Sequence, residues 1–385
     1  MQNGPNKFNY LMPTKVIFGK DKINQIGEEA SKLGSRALIV TGRTSAKKFG
    51  FEKKVTDILQ YHNISYVVYD QIEPNPDRIS INNGAKVANE QGCDLIIGLG
   101  GGSVLDAAKG ISLVAVNNED VWNYVEGGEP AKEGLPLIAV PTTAGTGSEV
   151  TPYAVVSDKS IKRKDGFGSI YNFPKVSILD PSLTLSLSHL YTISTGLDAL
   201  AHALEAYTSS LANKMSDVFA REAIKIIGSN LRKVSENGSD LDARSNMLYG
   251  NMLAGIALAN ADLTIAHVIG EAIGANYDTD HGLTVGLVLP AVMEYNFRAN
   301  PSKNAAIAHA LGFDVSGLSQ MDAASKSCVA LKNLLKDIKY PSGLRAIGVE
   351  LSDSVINLCL RPGLASINPV ELGRKEIKEI IEKSL

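Results

Sequence analysis

The chain has 385 residues, room for two substantial cores, and its 44% hydrophobic and 21% charged content is that of an ordinary globular protein. A net charge of −3, with no Lys/Arg run interleaved with aromatics, argues against nucleic acid or a membrane surface as the main partner and leaves a small molecule as the expected ligand. Three scattered cysteines (Cys93, Cys328, Cys359) exclude a disulfide framework or a thiolate zinc site and suit a reducing cytoplasm, and neither an apolar leader nor an apolar run of about 18 residues is present.

Up to about residue 183, short β-rich runs alternate with amphipathic stretches. The runs are "TKVIFG", "RALIVTG", "SYVVYD", "DLIIGLGG", "LPLIAVPTT" and "VSILDP". This is βαβ punctuation and predicts a mostly parallel, Rossmann-like sheet. From "LTLSLSHLYTISTGLDALAHALEAYTSS" onward strand signals stop and Ala/Leu-rich helical patterns run to Leu385. The expected organisation is an α/β domain over 1–183 and an all-helical domain over 184–385. No repeat and no low-complexity linker separates them, so abutting domains with a cleft between them are expected.

Within the first half, "CDLIIGLGGGSVLDAAKG" (Cys93 to Gly110) joins a buried-strand pattern to a helical one through Gly100, Gly101 and Gly102. Without Cβ atoms such a turn lets backbone approach a ligand, and the first amides of the helix point outward, a site suited to phosphate. The spacing is not GxGxxG, and a folding turn in which Ser103 and Asp106 form a capping box accounts for the same residues.

In the helical half, Asp198 and His202 of "TGLDALAHALEAYTS" are four apart and leave one helix face together. That spacing fits either a shared metal or a simple Asp–His hydrogen bond. In "ADLTIAHVIGEAIGANYDTDHGLTVG", His267 sits on an apolar stretch, where a buried imidazole needs a partner, and His281 follows a polar turn. One Asp and three His would make an oxygen-and-nitrogen site for Fe²⁺ or Zn²⁺. His62, His189 and His309 have no comparable setting.

Taken together, "PTKVIFG", "GLGGGSVLDAAKG", "PLIAVPTTAGTGSEVTPYAVVSD", "GLDALAHALEAYTS" and "HGLTVGLVLP" resemble the iron-containing (group III) alcohol dehydrogenases over nearly the whole chain. The resemblance implies an α/β nucleotide-binding domain followed by an all-α metal domain, with NAD(P) and a divalent metal held by Asp198, His202, His267 and His281. It makes the glycine turn, with Gly101, Gly102, Ser103, Val104, Leu105 and Asp106, the pyrophosphate site. It puts Thr142, Thr143, Thr146, Thr151, Lys164, Leu183 and Asn75 of "EPNPD" beside the cofactor, and implies a homodimer or larger homo-oligomer.

The chain departs from the family pattern at two positions. Many members carry a further His four residues after the third ligand, where this chain has Glu271, a candidate proton relay or outer acceptor. Others have Asp at the position of Gly42, where a carboxylate would bond the ribose 2′-OH and repel a 2′-phosphate. Gly42 lacks that carboxylate, and Arg43, Thr44 and Ser45 offer a guanidinium, hydroxyls and amides, so NADP(H) is expected over NAD(H). The expected activity is a metal-dependent alcohol dehydrogenase or aldehyde reductase acting on a small primary alcohol, diol or aldehyde. The alternatives are a dehydroquinate synthase-like NAD- and metal-dependent lyase, and a nucleotide-binding sensor without catalysis.

Overall fold

A computed structural model describes residues 7–130, 132–161, 163–361 and 363–385. The chain divides into two compact units. One is α/β, residues 12–186; the other is helical, residues 187–385 with residues 7–11, among those described.

In chain order the α/β unit holds β1 (Lys15–Phe18), α1 (Ile26–Ser31), β2 (Arg36–Gly42), α2 (Ser45–Lys48), α3 (Phe51–Tyr61), β3 (Ser65–Ile72), α4 (Arg78–Glu90), β4 (Leu95–Gly100), α5 (Gly102–Asn117), α6 (Val121–Val125), β5 (Leu137–Pro141), β6 (Tyr153–Asp158), β7 (Arg163–Gly168) and β8 (Val176–Leu179). Among the described residues, six strands form one parallel sheet in the order β1-β8-β5-β4-β2-β3. These are the six runs read from the sequence, and they are apolar nearly throughout because both sheet faces are covered. On β2, Leu38 and Val40 face a core shared with Ile81 and Ala85 of α4 and Ala107 and Ile111 of α5. Ala37 and Ile39 face the opposite core, with Val55 and Leu59 of α3.

The strand order turns back between β2 and β4: β3 lies outside β2, whereas β5 and β8 follow on the other side of β4. At such a switch point the turns leaving adjacent strands part in opposite directions and open a crevice at their carboxyl ends. Thr41 pairs with Leu99 there, so Gly42 and the glycine turn open side by side.

The β6–β7 hairpin is antiparallel and forms its own small sheet, a departure from the βαβ reading. Its second strand, "RKDGFG", is partly exposed and carries no apolar alternation, so periodicity has nothing to register. Ser157 of the hairpin donates its N–H to the Pro76 carbonyl at 2.8 Å, fixing it beside the segment after β3.

The helical unit contains α7 (His189–Thr208), α8 (Lys214–Glu236), α9 (Leu241–Ala261), α10 (Ile265–Tyr277), α11 (His281–Asn296), α12 (Pro301–Ala310), α13 (Gln320–Asp337), α14 (Asp353–Cys359) and α15 (Arg374–Ser384). Helix α7 is buried along most of its length and packs against α8, α9 and α11. A helix apolar on every side belongs inside a bundle. Residues 7–11 group with this unit, although their place in the sequence put them in the first domain. Leu11 donates its N–H to Asn260 Oδ1 at 3.1 Å, and Tyr10 stacks on Phe219 with ring centroids 5.9 Å apart. No single described helix is long and apolar enough to cross a membrane.

Candidate functional site

Three helices of the helical unit converge on Asp198. Ser188 caps the start of α7, and Asp198 and His202 follow on one buried face. Helix α11 begins at His281 with Asp280 as its N-cap, accepting from Leu283 N–H at 2.9 Å, and the Ser194 hydroxyl of α7 donates to the same carboxylate oxygen. Gly282 permits this approach: a Cβ there would lie 2.6 Å from the Ser194 carbonyl oxygen. Helix α10 supplies His267 from its first turn.

The ligand-capable atoms of Asp198, His267 and His281 lie within 4.8 Å of one another. Asp198 Oδ1 is 3.5 Å from His267 Nε2 and 3.9 Å from His281 Nε2. Ligand atoms about 2.1 Å from an ion at tetrahedral angles are separated by roughly 3.4 Å, so these spacings suit a small divalent cation. Buried Asp198 Oδ1 and His267 Nε2 have no hydrogen-bond partner, a costly state that an ion would relieve. The His202 ring lies against His267, centroids 4.4 Å apart and nearly parallel, but its ligand atom is outside that three-residue cluster. The residues fit a metal with nitrogen and oxygen donors.

The electrostatics are those of a charge-compensated interior. Burial alone would raise the Asp198 carboxyl, but His202, His267 and His281 outweigh it and hold it well below the usual carboxylate range. At His267, burial disfavours the imidazolium, yet Glu205 and Asp198 raise its pKa to about 10. Glu205, itself buried, accepts at Oε1 from the Thr264 hydroxyl (2.6 Å) and the Ala266 N–H (2.7 Å), and its Oε2 meets His267 Nδ1. Sequence reasoning missed Glu205, although it follows Asp198 and His202 at the i+7 and i+3 positions of one helix face.

In the α/β unit, helix α5 starts from Gly101 with no side-chain cap. Val104 and Leu105 donate their N–H groups to the Gly101 carbonyl, which leaves the Gly102 and Ser103 amides ahead of the helical ladder. None of the three glycines has a positive φ. Their role is close approach: a Cβ on Gly101 would lie 3.1 Å from Thr143 Cγ2, and one on Gly102 would overlap the Thr146 methyl. Thr142 completes the join by donating its N–H to the Gly100 carbonyl at 2.9 Å.

The capping-box alternative fails here. Asp106 accepts from the Ser148 hydroxyl at 2.6 Å and the Val155 N–H at 3.0 Å, and burial raises its pKa. Beside it Lys109, missed in the sequence, is fully buried and donates to Ser148 Oγ (2.7 Å), Thr151 Oγ1 (3.4 Å) and the Tyr153 carbonyl (2.6 Å). Burial lowers its pKa to about 8 despite Asp106 and Glu149. A buried ammonium on a helix that is otherwise largely apolar and buried is not visible to a periodicity argument.

Asn75 adopts a left-handed φ of 55° and accepts from Lys164 Nζ at 2.8 Å, so these two residues meet. Val104, Leu105 and Leu183 have buried side chains, and the N–H groups of the first two are already taken by the Gly101 carbonyl. Around Gly42 there is space: an added Cβ would be no closer than 3.6 Å to Ile72 O. Thr44 and Ser45 begin the short α2 without a side-chain cap. The Arg43 guanidinium, expected to face an open phosphate position, pairs with Glu73 at 2.9 Å, and Lys159 reaches the same carboxylate at 3.2 Å. Glu73 was not anticipated because it leaves β3 and meets Arg43 only through sheet pairing. Glu271, one turn beyond His267 on α10, lies outside the Asp198 cluster and its charge acts on the Cys359 thiol.

A family model described as iron-containing alcohol dehydrogenase matches residues 13–181, and one for the C-terminal part of the Fe-containing alcohol dehydrogenase family matches 192–385. The chain is 41% identical to a 1,3-propanediol dehydrogenase of Citrobacter freundii over 98% of both proteins. It is 32% identical to an NAD-dependent methanol dehydrogenase of Bacillus methanolicus over 98% of this chain and 100% of that one. A crystal structure of a 1,3-propanediol oxidoreductase superimposes with a TM-score of 0.95 at 38% identity, covering 99% of this chain and 100% of the other.

Proposed function

The chain belongs to the iron-containing alcohol dehydrogenase family, and on that premise we propose that it transfers hydride between NADP(H) and a small primary alcohol, diol or aldehyde, with Fe²⁺ as its ion and Zn²⁺ as the alternative. Family membership makes it an oxidoreductase acting on alcohols with an NAD(P) cofactor and a metal. The observation that carries the metal-dependent reading is the convergence of buried Asp198 and His267 with partly buried His281.

In this reading Asp198, His202, His267 and His281 hold the ion. When bound, the ion supplies Lewis acidity toward the substrate oxygen and the cofactor supplies the hydride chemistry. The remaining work belongs to the chain. In the turn from Gly101 to Asp106 the amides left free ahead of the helix, those of Gly102 and Ser103, take the pyrophosphate, favoured by the positive end of α5. Thr142, Thr143, Thr146 and Thr151 contribute hydroxyls or amides without adding charge, and Asn75, Lys164 and Leu183 complete the contacts. Glu271 relays a proton, or orients a ligand His or a water as an outer acceptor.

The preference for NADP(H) is supported by the charge around Gly42. Arg43 and Lys159 share the single carboxylate of Glu73, leaving one excess positive charge beside an uncrowded glycine. Arg43 is more than half exposed, so its guanidinium is free to exchange Glu73 for a 2′-phosphate.

The protein is further proposed to be cytoplasmic, in keeping with three buried free cysteines, and, as the family resemblance implies, a homodimer or larger. Metal-loaded protein mixed with NADPH or NADH and a panel of short aldehydes, followed by nicotinamide absorbance, tests the activity. Oxidation of NADPH at the higher kcat/KM is expected, with 1,3-propanediol and methanol as substrates for the reverse direction. No aldehyde-dependent oxidation of either cofactor would return the reading to the lyase or sensor alternatives.

A further inference from the structure

Glu205 of α7 is fully buried, faces the first turn of α10, and lies outside the proposed ligand set. Its two oxygens are used differently. Oε1 is occupied by two donors, the Thr264 hydroxyl at 2.6 Å and the Ala266 N–H at 2.7 Å. Those bonds fix the carboxylate plane and aim Oε2 at His267 Nδ1. The arrangement joins α7 to the N-terminus of α10, just past the bend where Asp262 takes a φ of 59°.

We propose that Glu205 is the positioning residue that makes His267 a metal ligand. A carboxylate only accepts, so a neutral His267 facing it must carry its proton on Nδ1. The Nε2 lone pair is then presented to the space beside Asp198 Oδ1, 3.5 Å away, where neither atom has a hydrogen-bond partner. In the other tautomer Nε2 carries a proton and cannot bind an ion, and Nδ1 faces Oε2 lone pair to lone pair. Thr264 is part of the device because its hydroxyl helps keep Oε1 from rotating into Oε2's place. The inference rests on the metal reading above, and makes Glu205 as necessary to the site as a residue that touches the ion.

Glu205→Gln is nearly isosteric yet cannot satisfy the same three donors. With its carbonyl oxygen toward Thr264 and Ala266, its amide donates to His267 Nδ1 and forces the proton onto Nε2. Flipped, it meets the Ala266 N–H with another donor. The variant and the wild type are stripped of metal, compared by thermal denaturation, and titrated with Zn²⁺ and with Co²⁺, whose visible absorption reports its ligand geometry. The expected result is metal binding weaker by roughly 10- to 100-fold in Glu205→Gln, with an altered Co²⁺ spectrum. Glu205→Asp, which keeps an acceptor one methylene short, should fall between the two.

Should Glu205→Gln not fold, ¹⁵N-edited spectra of the Zn²⁺-loaded wild type read the tautomer directly. A proton on His267 Nδ1 is expected; a proton on Nε2, or metal on Nδ1, overturns the proposal. Equal affinity and equal Co²⁺ spectra in wild type and Glu205→Gln overturn it as well. A wild type that binds neither ion removes the metal reading itself, a different outcome from the loss of Glu205's role.

Discussion

A single side chain in this protein is informative when its surroundings leave it one option. Asp198 Oδ1 and His267 Nε2 are buried and unbonded, so replacing His267 or His281 with Ala should lower kcat roughly a thousandfold, the scale of several kcal/mol of lost charge stabilisation, and reduce the metal found per chain. Gly42 gives a more graded test. Gly42→Asp introduces a carboxylate near Ile72 O and Ser45 Oγ, and should shift the NADP-to-NAD ratio of kcat/KM about tenfold toward NAD. Glu73→Gln should move the ratio the other way by freeing Arg43 and Lys159; no movement in either variant would show that this corner does not read the 2′ position. Glu271→Gln should lower kcat by about a hundredfold if the residue relays a proton, and an unchanged rate and pH profile would leave it an ordinary helix glutamate.

At the scale of elements, the glycine turn shows what could and could not be read in advance. The strand-to-helix break at Gly100 to Gly102 is plain in the sequence, but the neighbour that demands it, the segment after β5, comes about forty residues later and only the fold brings Thr143 and Thr146 against it. Gly102→Ala should therefore displace the Thr146 segment, destabilise the protein by about 1–3 kcal/mol and raise the cofactor KM. The six parallel strands were legible because burial on both faces makes them continuously apolar; β7 was not, because its polar, glycine-containing residues have no such pattern. Arg78, at the start of α4, pairs with Asp120 and with Asp158 of that hairpin. The Ser160 hydroxyl and Arg78 hold Asp158 below its ordinary range, and Arg78 does the same for Asp120 against its burial. Folded-state pKa values below the unfolded ones give stability that is present above about pH 4 and lost as pH falls through the folded values. Arg78→Met should thus cost about 1 kcal/mol near neutral pH in chemical denaturation, and the difference should shrink in acid.

Across the whole molecule, chemistry and fold are written in different parts of the sequence signal. Hydrophobic period separated an α/β half from a helical half, and the fold agrees, yet the same periodicity treats Glu205 and Lys109 as defects in apolar helices rather than as buried partners of His267 and Ser148. Asp198 and His202 were legible as a pair because helical spacing is local; the approach of His267 and His281 to Asp198 depends on two further helices and on Gly282. The account of the whole enzyme rests on the ion those residues are proposed to hold. The most direct test is to strip the purified protein of metal, titrate Fe²⁺ without oxygen, and follow NADP reduction with a short diol against metal bound per chain. The account predicts no measurable rate in the stripped protein and a rate rising in proportion to metal until one ion is bound per chain. Full activity in protein shown to contain no metal would contradict it.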